Sequence, residues 1–359
     1  MSAVDPWPQA PILSELPPTA RLAVTFDLGR LLADVARIRV TNWKEIRIVS
    51  GDGLGDYATK LDWRTIPLRS IGGDGNRGDA GGPDLADFAD TPWLAQLPYL
   101  AEVLAAIPGR LAAARLMALG PGASIPVHSD SKCGLPWGRV RLHVPIVTMP
   151  EAALFIADER HCWGAGEVWY ADFTRGHTVS NTGTRTRVHL VVDVYVTPEL
   201  LALFPAEFRT GAVRDGSMFE PPDVPLPAAQ ADQLRCGFGL PRSFRSWEEP
   251  DGEFLRDQPT TAAAVDAYNG GVALYLSDEP AFGLVHVGAG EFRFAGWTAE
   301  RTIQPSRSAA GELSVTLRSR VGSRVNARTI PAAPITDRPK PGAAPERAGA
   351  AVTARAGMS

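Results

Sequence analysis

The chain of 359 residues has few cysteines, no long apolar run and no long basic run. Cys133, Cys162 and Cys236 form an odd and widely spaced set, which excludes a disulfide framework as the basis of the fold. No stretch approaches the roughly eighteen consecutive apolar residues of a membrane-spanning helix. The N-terminal residues lack the basic start and apolar run of a secretory signal, so we expect a cytoplasmic protein.

The charge balance limits the partners of the protein. The formal net charge is −4, and without a basic run we expect no nucleic acid bound through its phosphates. Hydrophobic residues make up 45% of the chain, which is ordinary for a globular protein. The 35 glycines and 31 prolines favour turns and short strands over a helical bundle.

Four segments are predicted along the chain. Residues 1–20 carry several prolines and are interpreted as a flexible arm, and residues 21–205 as the main domain. Residues 206–330 form a β-rich region of unknown role. Residues 331–359 have almost no large apolar side chain to offset chain entropy, so we expect a disordered tail.

The main domain is predicted to be α+β with a mainly β centre. An early helix is expected near residues 29–38, and a second over about 93–114, kinked at Pro108. From residue 115 to 196, short β-branched runs alternate with glycine turns, a spacing typical of an antiparallel sandwich or barrel. In the C-terminal region we expect one helix near residues 262–268 and several strands after it.

The segment PGASIPVHSD carries the first candidate metal ligands, His128 and Asp130. Side chains alternate along a strand, so these two point the same way. An imidazole and a carboxylate on one face are two of the three ligands of a facial iron site. A histidine and an aspartate at this spacing are weak evidence alone, because most such pairs are ordinary surface residues.

The third ligand should come from a neighbouring strand. His177 follows a glycine turn 49 residues after His128, which leaves room for the intervening strands. His189 and His143 are alternatives. His189 lies two residues from Arg187, a candidate ligand-binding arginine on the same strand, and would crowd the ligand of that arginine, so we favour His177.

Arg187 lies ten residues after His177, at the start of an alternating strand. An arginine that points inward is costly to bury without a carboxylate partner. A dicarboxylate such as 2-oxoglutarate would satisfy its guanidinium, and an ion pair with Asp193 or Glu167 is the structural alternative. The run RLHVPIV repeats the pattern, with Arg141 and His143 on one face, although His143 alone would more often be a core histidine.

Together, PGASIPVHSD, RLHVPIV and GAGEVWYADFTRGHTVSNTGTRTRVHLVVDVYV resemble the aspartyl/asparaginyl β-hydroxylase family, which includes bacterial proline hydroxylases. The resemblance covers about residues 45–200. It implies a double-stranded β-helix, the jelly-roll or cupin-like fold. It implies Fe(II) bound by His128, Asp130 and His177, and 2-oxoglutarate held by Arg187 with help from Arg141 and His143. Some animal members lack the acidic ligand, which this sequence keeps as Asp130.

The resemblance further implies a 2-oxoglutarate-dependent dioxygenase that hydroxylates an unactivated carbon of an amino acid, free or within a peptide. The reaction consumes dioxygen and releases succinate and CO2. Arg69 or Arg115 could pair with a substrate carboxylate, and the loop of residues 134–138 could act as a lid.

Three other interpretations stay open. A cupin-type metal protein with another activity would need neither Arg187 nor Arg141. A non-catalytic jelly-roll binding module would not need the complete set of metal ligands. The C-terminal region alone could dock a protein or carrier partner.

Overall fold

The computed structural model describes residues 11–38, 43–45, 48–49, 56–57, 62–247 and 252–335. Two β-structures follow one another along the chain, and helices pack mainly against the first. The helices are α1 Pro11–Ser14, α2 Leu28–Ala36, α3 Pro98–Ala106, α4 Pro198–Leu201, α5 Gly211–Gly216 and α6 Ala228–Gln233. No helix in these ranges has the length and hydropathy needed to cross a membrane.

The first β-structure is a jelly roll built from two facing sheets. Its strands are β1 Thr19–Thr25, β2 Lys44–Glu45, β3 Ile48–Val49, β4 Asp56–Tyr57, β5 Trp63–Ile71, β6 Phe88–Asp90, β7 Leu111–Leu119, β8 Arg139–Val147, β9 Ala152–Ile156, β10 Glu159–His161, β11 Glu167–Ala171, β12 His177–Asn181 and β13 Arg187–Tyr195. The large antiparallel sheet has the order β1-β11-β8-β13-β7-β5-β2, and β6 pairs with β5. The small sheet has the order β10-β9-β12, while β3 and β4 form a separate pair.

The large sheet has one apolar and one polar face. Leu142 and Val144 of β8, with Leu190 and Val192 of β13, are fully buried in a core that includes residues of α2 and α3. On the opposite face the alternate positions of these strands include the charged and polar residues Arg141, His143, Arg187, His189 and Asp193, as the sequence alternation predicts. The apolar face therefore holds the domain together, and the polar face is available for chemistry.

Replacing Leu190 by alanine should lower the free energy of unfolding by about 2–5 kcal/mol, because it leaves a cavity in this core. Urea denaturation measures the change. Leu32→Ala, on the exposed side of α2, is the matched control and should change stability by less than about 1 kcal/mol. Equal effects at the two sites would contradict the assignment of the apolar face.

The second β-structure is a closed barrel of eight antiparallel strands in chain order. The strands are β14 Cys236–Pro241, β15 Thr260–Tyr268, β16 Gly271–Leu276, β17 Glu279–Gly288, β18 Glu291–Phe294, β19 Arg301–Arg307, β20 Leu313–Val321 and β21 Arg324–Ala333. Each strand pairs with the next, and β14 closes the barrel against β21. Apolar side chains such as Leu240, Val265 and Phe292 fill the interior.

The jelly-roll fold, the N-terminal helices and the β-rich C-terminal region are confirmed. Two helix predictions are wrong in extent or type. The predicted helix over residues 93–114 ends at Ala106, and the alanine-rich run after Gly109 is the central strand β7, hydrogen-bonded between β5 and β13. Residues 262–268 lie in β15, because closure of the barrel overrides the helical preference of alanine.

The structure also extends into the predicted arm and tail. Leu13 of α1 is buried in the jelly-roll core, and β1 begins at Thr19, because apolar side chains of this segment cover the domain. Residues 1–10 lie outside the described chain. At the other end, β21 continues to Ala333, and residues 336–359 of the predicted tail lie outside the described residues.

Candidate metal centre

The three predicted metal ligands meet at one end of the small sheet. One ligand atom each from His128, Asp130 and His177 lies within 4.8 Å of the others. His128 and His177 form an antiparallel bridge, with N–O distances of 3.0 and 2.9 Å, and the Asp130 amide donates to the Phe173 carbonyl at 2.8 Å. Backbone pairing between segments distant in sequence thus creates the site.

Hydrogen bonds to the backbone fix the tautomer of both histidines. Nδ1 of His128 lies 2.9 Å from the Pro126 carbonyl, and Nδ1 of His177 lies 2.9 Å from the Arg175 carbonyl. A carbonyl only accepts, so Nδ1 carries the proton and Nε2 keeps the lone pair needed for a metal. Burial lowers the pKa of His177 to about 4, which keeps this imidazole neutral.

Two imidazoles and one carboxylate are the donor set of a facial triad with open positions for Fe(II). The His128 side chain is 39% exposed, so ligands can reach this side of the site. The alternative third ligands lie elsewhere: Nδ1 of His143 is 3.3 Å from Nδ1 of His189, and neither belongs to the cluster. The geometry thus favours His177 over both alternatives.

Arg141 connects the carboxylate of Asp130 to Asp193 of the large sheet. Nη1 of Arg141 donates to Asp130, while its Nε and Nη2 donate to the two oxygens of Asp193 at 2.7 and 3.1 Å. Arg115 donates to the same Asp193 at 3.1 Å. Burial alone would raise the pKa of Asp193, but Arg141 and Arg115 hold it at about 2. Arg141 therefore orients Asp130, and its direct contact with 2-oxoglutarate stays a prediction.

Arg187 has no carboxylate partner among the described residues. Its Nη2 donates to Nδ1 of His189 at 2.9 Å, whereas Asp193 and Glu167 pair with other arginines. Since Nδ1 of His189 accepts this bond, Nε2 carries a proton, and that buried N–H has no partner in the described structure. Burial also lowers the pKa of Arg187 to about 10. A buried cation beside an unpaired donor fits a carboxylate ligand.

Comparison with known proteins found a family model that matches the part of the chain containing the metal site. Residues 28–197 match the model of a family described as aspartyl/asparaginyl beta-hydroxylase. This segment resembles that family. It is called the jelly-roll domain below. No curated protein sequence matches the chain.

Several solved structures overlap the chain in part. An oxidoreductase of the 2OG-Fe(II) oxygenase family from Burkholderia pseudomallei is 12% identical, over 51% of this chain and 86% of its own, with a TM-score of 0.33. A prolyl-4-hydroxylase from Pseudomonas putida is 14% identical, over 50% and 93%, with a TM-score of 0.30. A predicted oxalate decarboxylase from Thermotoga maritima is 16% identical, over 44% and 98%, with a TM-score of 0.23.

Aromatic rings border the site of the jelly-roll domain. His143 lies 5.2 Å from the ring centre of Phe173 and 5.4 Å from that of Trp163. Trp163 stacks on Trp169 at 5.5 Å, and its Nε1 is buried without a partner in the described chain. Burial and the charge of Arg187 keep the pKa of His143 well below its usual range. The site therefore combines an apolar border with unpaired donors.

Arg139 is a buried cation of the jelly-roll domain that was not predicted. Arg139 is buried, its Nε and Nη1 have no partner in the described structure, and its guanidinium lies 4.9 Å from the Trp297 ring. It occupies the same face of β8 as Arg141 and His143, so strand alternation could have identified it.

The other sequence candidates, Arg69 and Arg115, already pair with carboxylates of the protein. Arg69 donates to Asp90 at 2.5 Å, and Arg115 donates to Asp193. The prediction that the loop of residues 134–138 acts as a lid is wrong. Leu135 and Trp137 are buried in a short 3-10 helix, and the Leu135 carbonyl accepts the Met218 amide at 2.9 Å.

Proposed function

We propose that the protein is an Fe(II)- and 2-oxoglutarate-dependent dioxygenase. It hydroxylates an unactivated carbon of an amino acid, free or within a peptide, and releases succinate and CO2. The observation that carries the proposal is the combination of a complete facial triad with Arg187, a buried arginine that has no carboxylate among the described residues. A cupin-type protein without 2-oxoglutarate would have no use for that arginine.

Each residue would have a distinct task. His128, Asp130 and His177 would hold Fe(II), which together with 2-oxoglutarate and dioxygen supplies the oxidising chemistry when bound. Arg187, with the Nε2 proton of His189, would bind the far carboxylate of 2-oxoglutarate. Arg141 would keep one oxygen of Asp130 engaged so that the other faces the metal.

The aromatic border would exclude water from this chemistry. Phe173 also lies within 4.8 Å of the His177 ring centre, so an apolar side chain flanks a metal ligand directly. A dry environment strengthens the interactions between Arg187 and a bound carboxylate.

Replacing Arg187 by methionine should raise the KM for 2-oxoglutarate by roughly 10- to 100-fold, because a charge-assisted hydrogen bond is lost. Metal affinity should stay unchanged. Steady-state succinate release and calorimetry with Mn(II) measure the two quantities. The control is Arg69→Met, which removes an arginine already paired with Asp90. An unchanged KM in the Arg187 variant would contradict its assignment.

The unpaired guanidinium of Arg139 supports a substrate that carries a carboxylate. It lies two residues from Arg141 on the same face of β8, towards the C-terminal barrel. Arg139→Met should raise the KM of such a substrate by roughly 10-fold or more, while the KM for 2-oxoglutarate stays within about 2-fold. Substrate titrations at saturating 2-oxoglutarate would show this, and a parallel rise in both constants would argue against a substrate role.

The decisive assay measures succinate release with Fe(II), 2-oxoglutarate and a panel of amino acids and peptides. Stimulation by a member of the panel would identify the substrate class. If the protein binds iron but shows not even uncoupled 2-oxoglutarate turnover, the oxygenase proposal is wrong.

A further inference from the structure

The loop after the metal ligand Asp130 is held by the C-terminal barrel. Lys132 lies two residues after Asp130, and its Nζ donates to Oε1 of Glu300 at 2.8 Å. Both side chains are almost completely buried, at 1% and 2% exposure. Glu300 directly precedes β19 of the barrel, so this ion pair joins the two β-structures at the metal site.

Glu300 has its own set of partners. Its Oε2 accepts a hydrogen bond from Nε1 of Trp297 at 3.0 Å, and Arg301 lies 3.6 Å from Oε1. These contacts hold the Glu300 carboxylate in its position beside Lys132. Desolvation offsets much of the attraction within a buried ion pair, so a role in stability alone does not account for it.

Further contacts hold the rest of the loop against the barrel. The Gly322 amide of the barrel donates to the Pro136 carbonyl at 2.8 Å, and the Arg139 guanidinium lies over the Trp297 ring. Lys132 itself has a left-handed backbone, with φ of 51°. A lysine adopts this conformation at a cost, so surrounding contacts must maintain it.

The loop conformation bears directly on the metal. The Asp130 amide is fixed to Phe173 and one carboxylate oxygen to Arg141, so the remaining freedom of Asp130 depends on the chain that follows it. We propose that Lys132 and Glu300 are positioning residues for the metal ligand Asp130, and that the C-terminal barrel is thereby an integral part of the metal centre. This inference rests on the proposed metal centre.

The test measures divalent-ion affinity in the full chain, without turnover. Glu300→Gln keeps the shape of the side chain and removes its charge. We expect it to weaken Mn(II) binding by about 10-fold or more, as substitutions behind a metal ligand do. The absorption spectrum of bound Co(II) should also change, because it reports the coordination geometry. Lys132→Met should have the same two effects.

Two controls separate positioning from general stability. Glu291→Gln makes the same chemical change in a barrel ion pair with Arg320. Asp223→Asn removes a carboxylate that pairs with Arg293 of the barrel rather than with Lys132. Both should leave Mn(II) affinity within about 3-fold and the Co(II) spectrum unchanged, even if they lower the thermal midpoint.

If Glu300→Gln does not fold, the double variant Lys132→Met/Glu300→Met decides, because it removes both charges of the Lys132–Glu300 pair together. It should fold and still bind Mn(II) about 10-fold more weakly. Wild-type affinity and an unchanged Co(II) spectrum in a folded variant would overturn the inference, whatever the effect on stability. Wild-type metal binding without 2-oxoglutarate turnover would instead overturn only the proposed function. A wild type that binds no divalent ion would overturn both.

Discussion

His128→Ala and His177→Ala are expected to abolish Fe(II)-dependent turnover, with a loss of more than about 1,000-fold. A substitution behind a metal ligand typically weakens binding by roughly 10- to 100-fold, and removal of the ligand itself should exceed this. Both variants should still fold, because the backbone hydrogen bonds between residues 128 and 177 do not involve the side chains. Calorimetry with Mn(II), metal content and the thermal midpoint measure these effects separately.

The control is His189→Ala, which removes a histidine of the same polar face that contacts Arg187 rather than the triad. It should bind metal normally and lose affinity for 2-oxoglutarate. Full activity in His177→Ala, with loss of metal in His189→Ala, would show that His189 is the third ligand.

Asp193→Asn should lower the free energy of unfolding by about 3–5 kcal/mol, because it leaves buried guanidinium groups without their shared counter-charge. Asp193 is fully buried and pairs with both Arg115 and Arg141. The substitution should also reduce turnover, since Arg141 would no longer be held against Asp130. Chemical denaturation measures the stability change. Asp90→Asn, in an exposed pair with Arg69, is the control and should change it by less than about 1 kcal/mol.

The same carboxylate predicts a pH dependence. The pKa of Asp193 in the folded protein is about 2, below its ordinary value of 3.8. A depressed carboxyl pKa contributes stability above the unfolded value, and this contribution disappears as the pH falls through the folded value. The wild type should therefore lose stability between about pH 4 and 2. Asp193→Asn should lack this step, and an identical acid transition in both proteins would contradict the ion-pair network.

The polar face of the jelly roll was predictable from the sequence, because strand alternation depends only on local spacing. The same rule places His128 with Asp130, and Arg187 with His189, on common faces. Which residues meet across the sheets was harder to predict. The Asp193 carboxylate pairs with Arg115 and Arg141 rather than with Arg187. Arg115 and Arg141 lie 78 and 52 residues from Asp193 in the sequence, so these pairings depend on which strands become neighbours in the sheet.

The structural role of the C-terminal region could not be predicted from local sequence patterns. Residues 262–268 have a composition that favours a helix, yet they complete a barrel that closes only through β14 and β21. The short segment from Gly134 to Gly138 has the composition of a lid, but contacts with Met218 and Gly322 bury it. Both predictions failed because contacts with distant parts of the chain determine the secondary structure of the first segment and the burial of the second.

The ion pair between Lys132 and Glu300 has a consequence for synthesis of the protein on the ribosome. Glu300 is translated 168 residues after its partner, which corresponds to roughly 10–30 s at common elongation rates. During that interval the jelly roll can form its sheets, but the chain after Asp130 lacks its anchor. We therefore expect the nascent protein to acquire tight metal binding only once the barrel has emerged, which would delay iron loading until translation is nearly finished.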